Sequence, residues 1–128
     1  MARYSLDKIE AIEGKQQFYK LVIDAKCQFD EYEENIKKHG RYLNELGTIF
    51  LNMEEMANNR TLPAGKVKKL KGSKDGVTEY EFRTKHLRVY AIKIPNGKLV
   101  ILGGYKNRQP KDIRKFRKTK EAYLKNQL

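Results

Sequence analysis

The chain has 128 residues, enough to build one hydrophobic core and too few for two, so we predict a single domain, 1–128. One cysteine excludes an internal disulfide, and two histidines are too few for a metal site unless carboxylates supply the other ligands, so we expect none. The net charge is +12, and residues 61–128 hold all of the excess, with 19 Lys and Arg against 5 Asp and Glu. This distribution predicts a polyanionic partner that contacts the second half of the chain.

Membrane insertion and secretion are not expected from this sequence. No apolar run reaches the length of a membrane span, and the first residues lack the apolar core of a signal peptide. We therefore expect a cytoplasmic protein with no membrane partner.

The first half of the chain predicts a strand followed by two helices. Residues 1–15 form an extension that fits either a short helix or an edge strand, and residues 17–25 have the aromatic and branched composition of a strand. In residues 27–40, acidic side chains are concentrated in the first half and lysines near the end, and the apolar residues lie on one helical face. This pattern predicts a helix. A second apolar stripe predicts a helix over 43–59.

The second half predicts a β-rich region and a closing helix. A short strand begins at Val67, three antiparallel strands follow within 77–108, and the turn at 95–97 has hairpin chemistry. The last of these strands is apolar throughout and is expected to be central and covered on both sides. Pro110 opens a basic helix that extends to about Lys125.

This order of elements predicts an α+β fold. We expect a mostly antiparallel twisted sheet of 4–5 strands, with the helix pair on one face and the other face open. Gly103 and Gly104 in the last strand leave the backbone accessible to a closely approaching ligand.

The first hairpin of the β-rich region has a predicted register. If its loop has four residues, Arg83 stands opposite Arg88, and Glu81 stands opposite Tyr90 on the same face. Like charges directly opposite each other destabilise a strand pair, which indicates a bound anion, interpreted here as RNA phosphate. In the alternative interpretation, Glu81 neutralises both arginines in an ordinary cross-strand network.

Four segments carry a resemblance to a known family. KKLKG, YEFR, LRVYAI and LVILGGYKNRQP, followed by a basic helix, resemble the RelE/HigB superfamily of toxins from bacterial type II toxin-antitoxin systems, in its phage-associated HigB-like branch. The similarity covers roughly residues 16–125. It implies a RelE-like domain that cleaves mRNA, often on the translating ribosome, without a cofactor, and that a cognate antitoxin protein restrains.

The resemblance also implies where the site residues lie. They fall on basic positions of the hairpin and of the segment after the last strand, with lysines along the rim and a tyrosine where a base could stack. The basic positions are Arg83 and Arg88 of the hairpin and Lys106 and Arg108 after the last strand. The rim lysines are Lys68 and Lys71, and the stacking tyrosine is Tyr105.

Metal-free RNA cleavage needs a base, an acid and positive charge at the phosphate. Arg83, Arg88 and Arg108 suit the phosphate, because a guanidinium group matches its oxygens. Glu81 lies on the same face as Arg83 and Arg88 and is the candidate general base. In the alternative, it serves only as a salt-bridge partner of those arginines. Lys106 is a candidate acid. His86 has suitable chemistry, but its place in a loop favours a solvated turn residue.

Other residues have candidate roles in RNA binding. Tyr90 and Tyr105 could stack on bases, although tyrosines on strands more often cover the core. The outer face of the last helix, including Arg114 and Lys118, is expected to contact ribosomal RNA, with binding of an acidic antitoxin segment as the alternative. A non-catalytic RNA-binding or ribosome-associated module would use the same basic surface, so both functions remain open at this point.

Overall fold

The computed structural model describes residues 2–127 of the chain. The strands are β1 (Tyr4–Lys8), β2 (Gln17–Ile23), β3 (Val67–Lys69), β4 (Glu79–Arg83), β5 (Leu87–Ile94) and β6 (Gly97–Tyr105), and the helices are α1 (Gln28–His39), α2 (Leu43–Ala57) and α3 (Gln109–Asn126). A 3-10 turn, Lys106–Arg108, joins β6 to α3. The predicted α+β class is confirmed.

All six strands form one sheet in the order β1-β2-β6-β5-β4-β3. Only the β2–β6 pair is parallel, and the long connection that a parallel pair requires contains α1, α2 and the strands β3 to β5. The expected count of 4–5 strands is wrong, since the ambiguous start of the chain forms the edge strand β1. Tyr4 and Leu6 of β1 alternate with polar residues, stand opposite Ile23 and Leu21 of β2, and pack against a core cluster.

The β4–β5 hairpin has the predicted register. Arg83 pairs with Arg88 and Glu81 with Tyr90 across the two strands, and Thr84 N donates a hydrogen bond of 3.1 Å to the Leu87 carbonyl. Four residues, 84–87, therefore lie inside the last strand pair, as the predicted loop requires. β6 is central, as predicted, and nearly all of its residues are buried.

Helices cover both faces of the sheet. α1 and α2 pack Phe29 and Met53 against β-strand residues such as Phe82 on one face. On the other face, α3 packs Phe116 and Tyr123 against the apolar residues of β5 and β6. The expectation of an open face is therefore wrong.

Ion pairs also hold α3 on the sheet. Arg117 Nη2 lies 2.8 Å from Oε1 of the fully buried Glu79, and Lys120 contacts the other carboxylate oxygen. Two cations of the basic helix thus neutralise Glu79, which the alternating pattern of the strand predicts to face solvent. None of the helices found within residues 2–127 is long and apolar enough to cross a membrane.

Candidate functional site

Arg88 binds the backbone of the loop between β4 and β5. The Arg88 side chain donates through Nη1 to the carbonyl oxygens of Thr84 and Leu87, the latter at 2.7 Å, and the residue is only 4% exposed. Leu87 N also donates to the Thr84 hydroxyl at 3.2 Å. The expectation that Arg88 contacts phosphate is wrong in this conformation, because its guanidinium group binds the loop that presents His86.

Glu45, in the first turn of α2, reaches this loop and binds His86. Its Oε2 lies 2.7 Å from Nδ1 of the imidazole. Its Oε1 accepts hydrogen bonds from the Thr84 hydroxyl at 2.6 Å and from the His86 backbone N–H at 2.8 Å. Partial burial opposes ionisation, but these hydrogen bonds outweigh it and hold the pKa of Glu45 below its ordinary value. Glu45 is therefore a carboxylate at neutral pH.

The carboxylate fixes the protonation pattern and the orientation of His86. An ionised Glu45 only accepts hydrogen bonds, so the Nδ1 of His86 carries the hydrogen between them and the neutral ring keeps a lone pair on Nε2. The ring stacks on Tyr42, with centroids 4.8 Å apart and planes 27° apart. His86 is partly exposed, with 43% of its side chain accessible. This arrangement holds an imidazole in one orientation with part of the ring open to solvent, which is the geometry that a general base requires.

A cavity of about 510 Å³, here called the His86 cavity, opens beside this histidine. Its lining combines aromatic rings with exposed cations, and consists of Tyr42, His86, Tyr105, Lys106, Asn107 and Arg108. The backbone N–H of Lys106 donates to the His86 carbonyl at 2.9 Å, which fastens the 3-10 turn to the loop. The structure thus brings three of the predicted residues, Tyr105, Lys106 and Arg108, to the histidine.

Glu81 lies under α3 and is fully buried. Its carboxylate accepts a hydrogen bond of 2.7 Å from Gln109 Nε2 and lies 3.1 Å from Arg83 Nε. A substrate hydroxyl cannot reach it there, so the expectation that Glu81 acts as the general base is wrong in this conformation. Of the alternative interpretation, in which Glu81 neutralises both arginines, the pair with Arg83 is observed, whereas Arg88 binds the loop carbonyls instead. Arg83 keeps 29% of its side chain exposed at the edge of this cluster.

Tyr90 is also fully buried, and its ring stacks on Phe116 of α3 with centroids 5.4 Å apart. Burial and the nearby Glu81 carboxylate raise the pKa of its hydroxyl well above the ordinary range. The expectation that Tyr90 stacks on an RNA base is therefore wrong. Tyr105 remains half-buried, and its hydroxyl accepts a hydrogen bond from Asn35 Nδ2 at 3.2 Å.

The remaining predicted RNA-binding residues lie outside the His86 cavity. Lys68 is exposed on the edge strand β3, opposite Glu81, and the Lys71 carbonyl accepts a hydrogen bond from Arg117. Arg114 and Lys118 line a separate cavity of about 640 Å³ beside the β3–β4 connection. Since a helix rises 1.5 Å per residue, Lys118 lies roughly 15 Å along the axis of α3 from Arg108 at the end of the 3-10 turn. These four residues form a spread surface and no compact site.

Sequence reasoning missed Glu45 and Tyr42, and it assigned His86 to a solvated turn. Glu45 and His86 are 41 residues apart, and their contact depends on how α2 packs against the hairpin. Local spacing contains no signal for such a pair. The one available signal was chemical, because an imidazole is the side chain most often used for acid-base catalysis.

The comparisons with known proteins add no relative. No family model, no curated protein and no solved structure matches the chain. Within residues 2–127, no three side chains of His, Cys, Asp or Glu come together in a way that could hold a metal ion. The geometry and the charge of the His86 cavity are the structural features that bear on function.

Proposed function

We propose that the protein is an endoribonuclease whose catalytic site is the His86 cavity. One observation carries the proposal: Glu45 binds Nδ1 of His86 at 2.7 Å and orients the ring beside the cationic lining of the cavity. A histidine held by a carboxylate is a standard acid-base pair, and cations within the same cavity favour a phosphate substrate. The aromatic rings that line the cavity suit single-stranded RNA, whose bases stack on such side chains.

The residues of the cavity can divide the cleavage reaction among them. His86 Nε2 accepts the proton of a ribose 2′-hydroxyl, and the oxygen attacks the adjacent phosphorus. The bond from phosphorus to the 5′-oxygen breaks, and that oxygen leaves with a proton from Lys106 or water. The products are a 2′,3′-cyclic phosphate and a 5′-hydroxyl. Arg108 binds the phosphate oxygens, because its planar guanidinium group can donate two parallel hydrogen bonds.

We extend the proposal to a toxin of the RelE/HigB kind, with a RelE-like domain, that acts on mRNA at the ribosome and that an antitoxin protein restrains. The sequence resemblance and the charge of +12 support this wider proposal. The exposed cations outside the cavity, Lys68, Lys71, Arg114 and Lys118, are spread as expected for contact with the long, irregular backbone of ribosomal RNA. The proposed place of action is the cytoplasm, and the cavity needs no cofactor for this chemistry.

A second candidate function is RNA binding without cleavage. It is favoured by the burial of Glu81, Arg88 and Tyr90, which removes three side chains from the site expected for a nuclease. The basic surface would still bind RNA in a salt-dependent way.

Purified protein and a short 5′-labelled RNA separate the two functions. We expect the wild type to produce 2′,3′-cyclic phosphate ends, and His86→Gln to lower the cleavage rate by about 10²-fold or more. His39→Gln is the matched control, since His39 is exposed at the end of α1, and it should cleave like the wild type. RNA binding without cleavage by the wild type, both alone and with translating ribosomes, would leave only the binding function.

Induced expression tests the wider proposal in the cell. Growth arrest and new message ends that appear with the wild type and with His39→Gln, but not with His86→Gln, would support a toxin that cleaves mRNA. Growth arrest that His86→Gln preserves would contradict cleavage as the cause.

A further inference from the structure

Lys98 of β6 is a buried lysine without a carboxylate partner among residues 2–127. The residue is only 5% exposed. Its Nζ donates a hydrogen bond of 2.7 Å to Gln16 Oε1 and lies 5.4 Å from the centroid of the Tyr80 ring. An amide oxygen and a ring face compensate a buried ammonium group only in part, so the free protein keeps an electrostatic cost at this position.

Further positive charge surrounds Lys98. Lys93 stands directly opposite it in the β5–β6 pair, and Lys69 stands opposite Tyr80 in the β3–β4 pair. Both of these lysines are exposed, and the alternation along the strands places them on the face that carries Lys98. Burial, together with the charges of Lys93 and Lys69, lowers the pKa of Lys98. Like charges facing each other destabilise a sheet, so this part of the fold favours a bound anion.

A cavity of about 450 Å³, here called the Lys98 cavity, reaches this lysine from beneath the end of α2. Part of its lining is apolar, and part is polar or cationic. The apolar side chains are Met56, Leu62, Val67 and Tyr80, and the polar and cationic ones include Gln16, Asn59, Arg60, Lys69 and Lys98. Glu55 already neutralises Arg60 through a contact of 3.0 Å between Oε1 and Nη1. The lysines remain as the charge that a ligand would meet.

We propose that the Lys98 cavity binds a small organic anion. Its phosphate or carboxylate head binds Lys98 and Lys69, and its apolar body packs against Met56, Leu62 and Val67. The head supplies the negative charge that the lysine cluster lacks. The cavity has the size and the mixed lining of small-molecule sites, whose few polar groups orient a mostly apolar ligand.

This site is separate from the His86 cavity and does not depend on the proposed nuclease function. Lys93, which stands opposite Lys98, and Leu87, which follows His86, lie near opposite ends of β5. The six residue steps between them span about 20 Å at the rise of an extended strand. Occupation of the Lys98 cavity therefore adds a second ligand to the protein.

Titration calorimetry with four probes tests the proposal. Phenyl phosphate and benzoate carry both a charged head and an apolar body, inorganic phosphate lacks the body, and benzyl alcohol lacks the charge. We expect phenyl phosphate or benzoate to bind at least about tenfold more tightly than inorganic phosphate and benzyl alcohol. The tighter of the two identifies the preferred head group. Equal binding of all four probes, or no binding at millimolar concentration, would overturn the proposal.

Substitutions locate the binding to this cavity. Lys98→Met keeps the length of the side chain without its charge, and we expect the affinity for the tighter probe to fall by at least about tenfold. Lys69→Gln, at an exposed position where the fold does not depend on the side chain, should weaken binding by about threefold. Lys115→Gln on the outer face of α3 is the control with unchanged affinity. If the affinity survives in both Lys98→Met and Lys69→Gln, the ligand binds elsewhere and the assignment is wrong.

Discussion

Glu45 Oε2 lies 2.7 Å from His86 Nδ1, and the other oxygen of the same carboxylate accepts the His86 backbone N–H. One side chain of α2 therefore sets both the rotation of the imidazole and the position of the backbone that carries it. The hydrogen bond from Thr84 to Glu45 fixes the carboxylate in turn. A histidine used only as a solvated turn residue has no need of this double constraint.

Replacement of Glu45 by Gln tests whether the carboxylate orients the base. The amide keeps the shape of the side chain but no longer stabilises the imidazolium that forms during proton transfer, so we expect kcat for RNA cleavage to fall by about 10²-fold. RNA affinity should stay near that of the wild type, because Glu45 does not line the His86 cavity. Fluorescence anisotropy with an uncleavable 2′-deoxy oligonucleotide measures the affinity. Equal losses in affinity and in rate would show that the substitution disturbs the fold instead.

Substitutions of Arg88 and Arg108 are predicted to have different effects on the salt dependence of RNA binding. Arg108 is exposed in the His86 cavity and contacts phosphate in the proposed complex, so Arg108→Gln should reduce the slope of log affinity against log salt by about 1. Arg88 binds two loop carbonyls, so Arg88→Met should leave the slope unchanged and lower the free energy of unfolding by about 1–3 kcal/mol. A reduced salt slope in Arg88→Met would show that its guanidinium group meets RNA after all.

The local pattern of the sequence was sufficient to predict the β4–β5 hairpin. Alternation of polar and apolar residues and a four-residue loop set the register, and Arg83 pairs with Arg88 as that reasoning requires. The bounds of the three helices also agree with the prediction within two residues, because caps and apolar stripes are local signals. The helix bounds and the register of this hairpin were therefore predictable from the sequence.

The position of α3 was not predictable from these patterns. Glu79 and Glu81 alternate with Tyr80 and Phe82, which is typical of a strand with one wet face. Arg117 and Gln109 from the distant helix satisfy the two acids instead and allow them to be buried. The sequence shows which residues are charged but not which charges will meet, so the face expected to hold the site is closed.

Gly103→Ala should destabilise the fold, because a ring of α1 occupies the space above this glycine. A Cβ added at Gly103 would lie 2.3 Å from Tyr32 Cδ2, and the Tyr32 hydroxyl donates to the Gly104 carbonyl at 2.9 Å. The space expected to admit a ligand is thus filled from within the protein. We expect the free energy of unfolding in urea to fall by about 1–3 kcal/mol.

Gly47→Ala is the matched control for that experiment. Nothing lies within 4 Å of a Cβ added at Gly47, which is an exposed position inside α2. We expect this substitution to stabilise the protein by about 0.5–1 kcal/mol, because alanine has the better helix propensity. Loss of stability in both variants would mean that the effect of Gly103→Ala does not come from Tyr32.

The low pKa of Glu45 predicts a specific dependence of stability on pH. Because the folded pKa is depressed below the unfolded one, Glu45 contributes stability that is present above the unfolded pKa and lost as the pH falls through the folded pKa. Urea unfolding of the wild type and of Glu45→Gln from pH 7 to pH 3 measures this contribution. The difference between the two should be largest at neutral pH and shrink in acid. A difference that does not change with pH would indicate lost packing without lost charge.

Lys98→Met is predicted to stabilise the protein in the absence of any ligand. Burial first, and then the charges of Lys93 and Lys69, lower the folded pKa of Lys98 from its ordinary value of 10.5. The unfolded chain therefore binds more protons between the folded pKa and 10.5, and wild-type stability should rise with pH in that window. Methionine removes the titration, so the variant should gain about 1 kcal/mol or more at neutral pH and lose the rise in alkali. Urea unfolding at pH 7, 9 and 10 checks both effects, and a variant less stable than the wild type at every pH would show that the hydrogen bond from Lys98 to Gln16 outweighs the cost of the buried charge.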